Sequence, residues 1–180
     1  MNITFQPQIF TGNYVKSVQI LKNNKPFNAA LIEITKSDIN CIEKLAEQWK
    51  TDIIELILTS IYIPLRGVKN PKIYAISTQK ENFQKVSPKN ILGMFEVTER
   101  DNLYALEYLE VKPTQTYGNN KRTFSEVGKA CLDYIKTRFR HKDVEIYAIE
   151  TAAPFYTKMN CINEPKDNCK FRYIIPKQEE

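Results

Sequence analysis

The feature that most constrains this sequence is a strand followed by an amphipathic helix, between Asn102 and Phe139. The strand, Leu103 to Lys112, carries large apolar side chains on both of its alternating faces. One face is predicted to hold Leu103, Ala105, Glu107, Leu109 and Val111, and the other Tyr104, Leu106, Tyr108, Glu110 and Lys112. Pro113 has no backbone N–H and ends the strand. We therefore expect a central strand that is buried on both faces.

The helix that follows carries a buried stripe, which consists of Phe124, Val127, Cys131, Ile135 and Phe139. Thr123 and Glu126 have the spacing of a capping box, which predicts that the helix starts at this point. The first amides of a helix have no partner inside it and favour an anion, and Lys121 and Arg122 lie directly upstream. The junction is compatible with an anion site and equally with an ordinary capped crossover.

Residues 109–113 and 122–132 resemble the acetyl-CoA-binding motif of the GNAT N-acetyltransferase superfamily. In that family an apolar strand ending in V-x-P precedes Q/R-x-x-G-x-G/A at the start of a helix. Gly128 occupies the last small position, and Thr123 occupies the Q/R position with Arg122 one place earlier. Glu126 stands where the first glycine is expected. A second register, residues 115–120, fits the letters but lies too far from the helical pattern.

A second segment, residues 153–161, resembles the family's A-x-x-F-Y-x-K-x-G-F pattern. It follows a predicted strand, Val144 to Glu150, as the family requires. Asn160 and Cys161 replace the usual glycine and phenylalanine, and asparagine tolerates the left-handed conformation that glycine would supply.

The resemblance implies the α/β class and a GNAT-type acyl-CoA N-acyltransferase fold, with a mixed, mostly antiparallel central sheet flanked by helices. We expect residues 1–28 to form an N-terminal extension or hairpin, and residues 29–176 to form the acetyltransferase domain. The other predicted elements are strands at Ala29–Thr35, Ile73–Thr78, Ile91–Glu99 and Phe171–Ile175, a helix that ends near Trp49, and a helix over Asp52–Tyr62.

The resemblance further implies direct transfer of an acetyl group from acetyl-CoA, as co-substrate, to a primary amine. The expected cofactor-binding residues are Leu109, Glu110, Val111, Lys121, Arg122, Glu126, Val127, Gly128 and Lys129. Tyr156 aligns with the family tyrosine that donates a proton to the departing thiolate. Glu107 is the expected general base, with Glu110 and Glu96 as rivals. The alternative is a catalytically inactive GNAT-fold module that binds CoA or another protein, and the carboxylate of Glu126 favours it.

Composition limits the function classes. The net charge of +5, from 26 Lys and Arg against 21 Asp and Glu, is too dispersed to indicate nucleic acid. A single histidine, His141, and four cysteines without a C-x-x-C pair give no reason to expect a metal site. We expect no membrane span and a cytoplasmic location. The acceptor, a small molecule or a peptide amine, is left open, and so is a homodimer.

Overall fold

A mixed sheet forms the centre of the molecule in the computed structural model, which describes residues 12–62, 69–79, 86–115, 122–166 and 169–178. Its nine strands lie in the order β6-β1-β2-β3-β4-β5-β7-β9-β8. They are β1 (Asn13–Lys22), β2 (Lys25–Ile34), β3 (Lys69–Ser77), β4 (Ile91–Glu99), β5 (Tyr104–Val111), β6 (Phe124–Ser125), β7 (Val144–Tyr147), β8 (Ile162–Asn163) and β9 (Arg172–Ile175). Every pairing is antiparallel except that of β5 with β7.

The first two strands form a hairpin. Asn23 and Asn24 connect them with φ values of 50° and 61°, which is the left-handed backbone that a two-residue hairpin turn needs and that asparagine tolerates. Of the segment predicted as an extension or hairpin, residues 1–28, the first eleven residues lie outside the described part of the chain. The predicted boundary between residues 28 and 29 falls inside β2, so the hairpin continues directly into the main sheet.

In the described residues, four α-helices cover the sheet in two pairs, α1 (Ile39–Trp49) with α2 (Asp52–Tyr62), and α3 (Val127–Arg138) with α4 (Ala153–Lys158). The first pair packs on one face of β2, β3 and β4, and Trp49 lies in that core at 5% exposure. The second pair packs on the opposite face. Because both faces are covered, β4 is buried from Ile91 to Thr98. The predicted α/β class and the mostly antiparallel sheet are confirmed.

The predicted alternation along β5 is wrong beyond Leu106. Glu96 pairs with Tyr108 and Val97 pairs with Leu106, so Glu107 is an extra residue opposite β4. This β-bulge shifts the side chains by one position, and a shift of one residue exchanges the faces of a strand. As a result, one core receives the side chains of Tyr104, Leu106, Leu109 and Val111. Tyr108 packs on the opposite core, which includes α1 and α2.

The predicted start of the helix α3 is also wrong. Phe124 and Ser125 form β6, which pairs with Lys22 and Leu21 at the end of β1. Phe124 packs edge-on against Phe27, with 5.6 Å between the ring centroids. Since these tertiary contacts hold the segment in an extended conformation, the helix begins only at Val127 and no capping box forms.

Two further elements differ from the expectation. The strand predicted over residues 144–150 ends at Tyr147, because the chain enters a 3-10 turn at Glu150–Ala152 before α4. Asn160, two residues after the end of α4, has a φ of 57°, which confirms the left-handed conformation expected there. No helix in the described residues combines the length and the apolar character needed to cross a bilayer.

Candidate active site

The parallel pairing of β5 with β7 ends early and leaves an opening between the two strands. Three residue pairs are made, the last between Leu106 and Ile146. Beyond it, Ala148 donates its N–H to the carbonyl of Phe171, so the chain after β7 follows β9 instead of β5. β5 continues to Val111, paired with β4 alone among the described strands. We call the gap beside residues 107–111 the β5–β7 opening.

The N-terminus of α3 lies at the far end of this opening. The first intrahelical bond runs from the N–H of Ala130 to the carbonyl of Glu126, at 2.9 Å. The preceding amides of Val127, Gly128 and Lys129 have no carbonyl within the helix to bond, and the helix dipole favours negative charge beside them. These three residues, expected to bind the cofactor, therefore occupy a position suited to a phosphate group.

Two glycines allow the start of α3 to approach its neighbours closely. A Cβ atom at Gly128 would lie 3.1 Å from Cζ of Phe155 in α4 and 3.7 Å from Cγ2 of Val111 in β5. A Cβ atom at Gly93 in β4 would lie only 2.8 Å from Cγ1 of Val127. The end of β5, the start of α3 and the start of α4 thus meet at one place.

Glu126 has the left-handed backbone that favours glycine, the residue that the motif resemblance leads us to expect at this position. Its φ and ψ are 63° and 14°, in the left-handed region, and its side chain makes no capping hydrogen bond. A residue before a helix usually has extended dihedrals, and a left-handed conformation is strained for glutamate. The position therefore demands a glycine-like backbone although the residue is a glutamate.

The basic residues expected to bind the cofactor differ in their contacts and exposure. Lys129 pairs with Asp133 one turn along the helix, at 2.7 Å, and the hydrogen bond and charge of Asp133 raise the pKa of the lysine. Arg122 is exposed and lies two residues before β6. Lys121 lies outside the described residues, as do residues 116–120 of the second motif register, 115–120.

Tyr156, the expected proton donor, is buried on α4 at 7% exposure. Its ring packs against Phe155 at 5.1 Å and Tyr173 at 5.5 Å between centroids. Burial is the main cause that raises the pKa of its hydroxyl, and the thiols of Cys161 and Cys131 add to it. The hydroxyl is therefore protonated at neutral pH, and the same shift makes it a weaker acid than an exposed tyrosine. Phe155 is the aromatic residue that reaches the start of α3.

Glu107, the expected base, lies at the bulge beside the closed end of the opening. Its carboxylate accepts a short hydrogen bond from the hydroxyl of Thr98. It also accepts two hydrogen bonds from Nη2 of Arg100, at 2.9 and 3.3 Å. Both carboxylate oxygens of Glu107 therefore already have donors within the fold.

The other two candidate bases, Glu96 and Glu110, have no guanidinium beside their carboxylates in the contacts of the described residues. Burial is the main effect on Glu96 and raises its pKa to about 7. A hydrogen bond from Ser60 at 2.7 Å lowers this pKa, and the negative charge of Glu107 raises it further. Burial alone raises the pKa of Glu110 to about 7. Glu96 is almost inaccessible, at 1% exposure, whereas Glu110 is half-buried on β5. Both would exchange protons near neutral pH.

Comparison with known proteins bears on the fold. No protein-family model matches the sequence, and no curated protein matches it. Among solved structures, the PaiA N-acetyltransferase from Thermoplasma acidophilum in complex with coenzyme A is similar, with a TM-score of 0.53, 16% identity, and coverage of 81% of this chain and 98% of that chain.

A structure from Corynebacterium glutamicum, described as histone acetyltransferase HPA2 and related acetyltransferase, has a TM-score of 0.52 at 13% identity, with 84% of this chain and 98% of that chain covered. Tetrahymena GCN5 has a TM-score of 0.50 at 11% identity, with 78% and 86% covered. The chain has the GNAT acetyltransferase fold. At these identities the likeness concerns the fold alone.

Several residues around the opening of this GNAT fold were not predicted from the sequence. Arg100 bonds Glu107, Glu145 bonds Arg172, and Phe155 contacts the start of α3. An ion pair between strands that are distant in the sequence leaves no periodic pattern from which it could be predicted. The sequence offered one hint, a charged residue, Arg100, in the turn predicted between the two strands.

Proposed function

We propose that this chain transfers an acetyl group from acetyl-CoA to the amine of a small molecule or a peptide. The observation that carries the proposal is the β5–β7 opening, where Leu109, Glu110 and Val111 have no strand partner on the β7 side among the described residues and lie next to the N-terminus of α3. An extended pantetheine arm can pair with such an edge in the manner of an added strand. The first-turn amides of α3, which have no acceptor within the helix, are suited to the pyrophosphate. The coenzyme A complex of the PaiA protein, which has the same fold, supports this choice of co-substrate.

The reaction would be direct. The amine nitrogen attacks the thioester carbonyl carbon, a C–N bond forms, the C–S bond breaks, and the thiolate of CoA leaves. We propose that the hydroxyl of Tyr156 gives its proton to the thiolate. We propose that a carboxylate near β5 receives the proton lost by the amine, with Glu107 as the first candidate. Glu96 and Glu110 are the alternatives because the pKa of each is about 7.

The experiment begins with binding. Acetyl-CoA at a concentration a hundred times its dissociation constant should raise the free energy of unfolding by about 2.7 kcal/mol, which thermal unfolding detects. Release of the CoA thiol in the presence of polyamines, aminoglycosides and peptides then tests turnover. No thermal shift at millimolar acetyl-CoA would refute the proposal, whereas binding without turnover on any amine would favour the inactive CoA-binding module.

A further inference from the structure

One guanidinium spans the two strands at the point where they separate. Arg100 lies in the turn between β4 and β5, where its N–H donates to the carbonyl of Leu103 at 2.9 Å. Its Nη2 contacts both carboxylate oxygens of Glu107 on β5. Its Nη1 lies 3.7 Å from Oε2 of Glu145 on β7. Arg100 therefore connects β5 with β7 through their side chains, in addition to the backbone ladder.

The two carboxylates lie on either side of the end of that ladder. Glu145 pairs with Ala105, one residue before the last pair, Leu106 with Ile146. Glu107 follows Leu106 and is the bulge residue. The cation thus sits at the closed end of the β5–β7 opening. Without it, two carboxylates on adjacent strands would face each other and repel.

The remaining contacts hold both carboxylates in place. Thr98 donates to Glu107. Oε1 of Glu145 accepts from Nε of Arg172 at 2.6 Å and from the hydroxyl of Tyr147 at 3.1 Å. Burial works against ionisation of Glu145, but the hydrogen bonds from Arg172 and Tyr147 and the charges of Arg172 and Arg100 outweigh it and lower its pKa. The charged form of Glu145 is therefore the one that Arg100 meets.

We propose that Arg100 is a positioning residue that sets the spacing of β5 and β7 at the closed end of the opening. This rests on the proposed function, under which the thioester end of acetyl-CoA reaches that end while the nucleotide lies beside α3. The planar guanidinium can bond two carboxylates with a fixed geometry, whereas a lysine ammonium is a point charge that would hold only one of them. Arg100 would thus act through the two strands and not by contact with the reacting atoms.

Calorimetry separates this role from a general loss of stability. With Arg100→Gln, the dissociation constant of acetyl-CoA should rise about tenfold, since a small misplacement of a bound group is costly. That of 3′-phospho-ADP, the nucleotide part of CoA without the arm, should stay unchanged. Arg100→Lys should give an intermediate loss. The matched control is Lys142→Gln, which removes an ion pair with Glu99 at 2.9 Å, together with contacts to Asp101 and to the ring of Tyr104. It does not touch Glu107 or Glu145, and it should alter neither constant.

Amide hydrogen exchange on the ligand-free protein provides a readout that does not depend on CoA. Arg100→Gln should speed exchange in the three-pair β5–β7 ladder and leave the β4–β5 ladder unchanged. Unchanged exchange, or equal weakening of both ligands, would overturn the role of Arg100. A parent protein that binds no acetyl-CoA would refute the proposed function instead, and the exchange result would still decide whether Arg100 sets the strand spacing.

Discussion

The two edges of β5 differ in how far they are paired with a neighbouring strand. On one edge, β4 pairs with β5 from Tyr104 to Val111, with one bulge. On the other, β7 pairs with it only as far as Leu106. The paired edge belongs to the antiparallel centre of the sheet, whose strand β4 is buried along nearly its whole length. A fully paired neighbour can hold β5 extended while its other edge remains available for a ligand.

The comparison also separates the chemistry of the two sides. On the β4 side the ionisable group is Glu96, enclosed under α2 and bonded by Ser60. On the β7 side lie the first-turn amides of α3, which have no carbonyl partner within the helix, and we propose that the buried hydroxyl of Tyr156 on α4 acts there. We expect the first group to influence mainly stability, and the second mainly ligand binding and turnover.

The largest effect is expected for Glu96→Gln. Burial raises the pKa of Glu96 from 4.5 to about 7, so the stability that its protonated form contributes is present below pH 4.5 and is lost as the pH rises to 7. The neutral glutamine lacks this loss, so the variant should exceed the parent at pH 8 by up to about 3 kcal/mol in free energy of unfolding, and differ little at pH 4. Urea unfolding at both pH values measures the difference.

A second variant checks the cause. Ser60→Ala removes the hydrogen bond that lowers the pKa of Glu96, so the loss of stability should extend to higher pH. If Glu96→Gln shows the same pH dependence as the parent, Glu96 does not titrate in this range. If it abolishes turnover while acetyl-CoA still binds, the β4 side takes part in the reaction and the comparison fails.

The next effect is expected for Tyr156→Phe, on the open side. Loss of the hydroxyl should reduce turnover about tenfold or more, with little change in the affinity for acetyl-CoA, because the proton for the thiolate is missing. The control is Tyr173→Phe. It removes a hydroxyl that bonds the carbonyl of Ala153 at 3.2 Å, and should cost about 1 kcal/mol of stability without slowing turnover. Equal turnover in the two variants would assign Tyr156 to the core alone.

The smallest effect is expected for Glu126→Gly at the start of α3. Because Glu126 has a φ of 63° and forms no cap, glycine should relieve strain and stabilise the ligand-free protein by about 1 kcal/mol. It should also strengthen CoA binding, since a carboxylate no longer competes with the phosphates for the helix dipole.

The matched control for this position is Asn160→Gly. Asn160 shares the left-handed backbone, with a φ of 57°, but lies after α4. The gain in stability should be smaller because asparagine tolerates this conformation, and CoA affinity should stay the same. A Glu126→Gly variant that is less stable than the parent would mean that its side chain contributes to the cap after all. Calorimetry and urea unfolding on both variants provide the test.

The sequence anticipated much of the fold, for identifiable reasons. Three elements were predicted from periodicity within one segment, and each formed as expected. They are the helix that ends at Trp49 and the strands predicted at Ile91–Glu99 and Leu103–Lys112. The left-handed backbone at Asn160 followed from the residue type. The start of α3 could not be predicted in this way, because the pairing of β6 with the end of β1 overrides the local helical pattern.

What the amino-acid sequence determined by itself was the order of the main helices and strands, since each of these depends on a pattern of residues close together in the chain. The tertiary structure decided which face Leu109 and Val111 occupy, because the extra residue of the bulge becomes visible only against β4. It also decided that Arg100 joins Glu107 to Glu145, since the opening between β5 and β7 depends on where two strands stop pairing. The residue at which two strands stop pairing is set by contacts between distant segments of the chain, and a local sequence pattern does not contain this information.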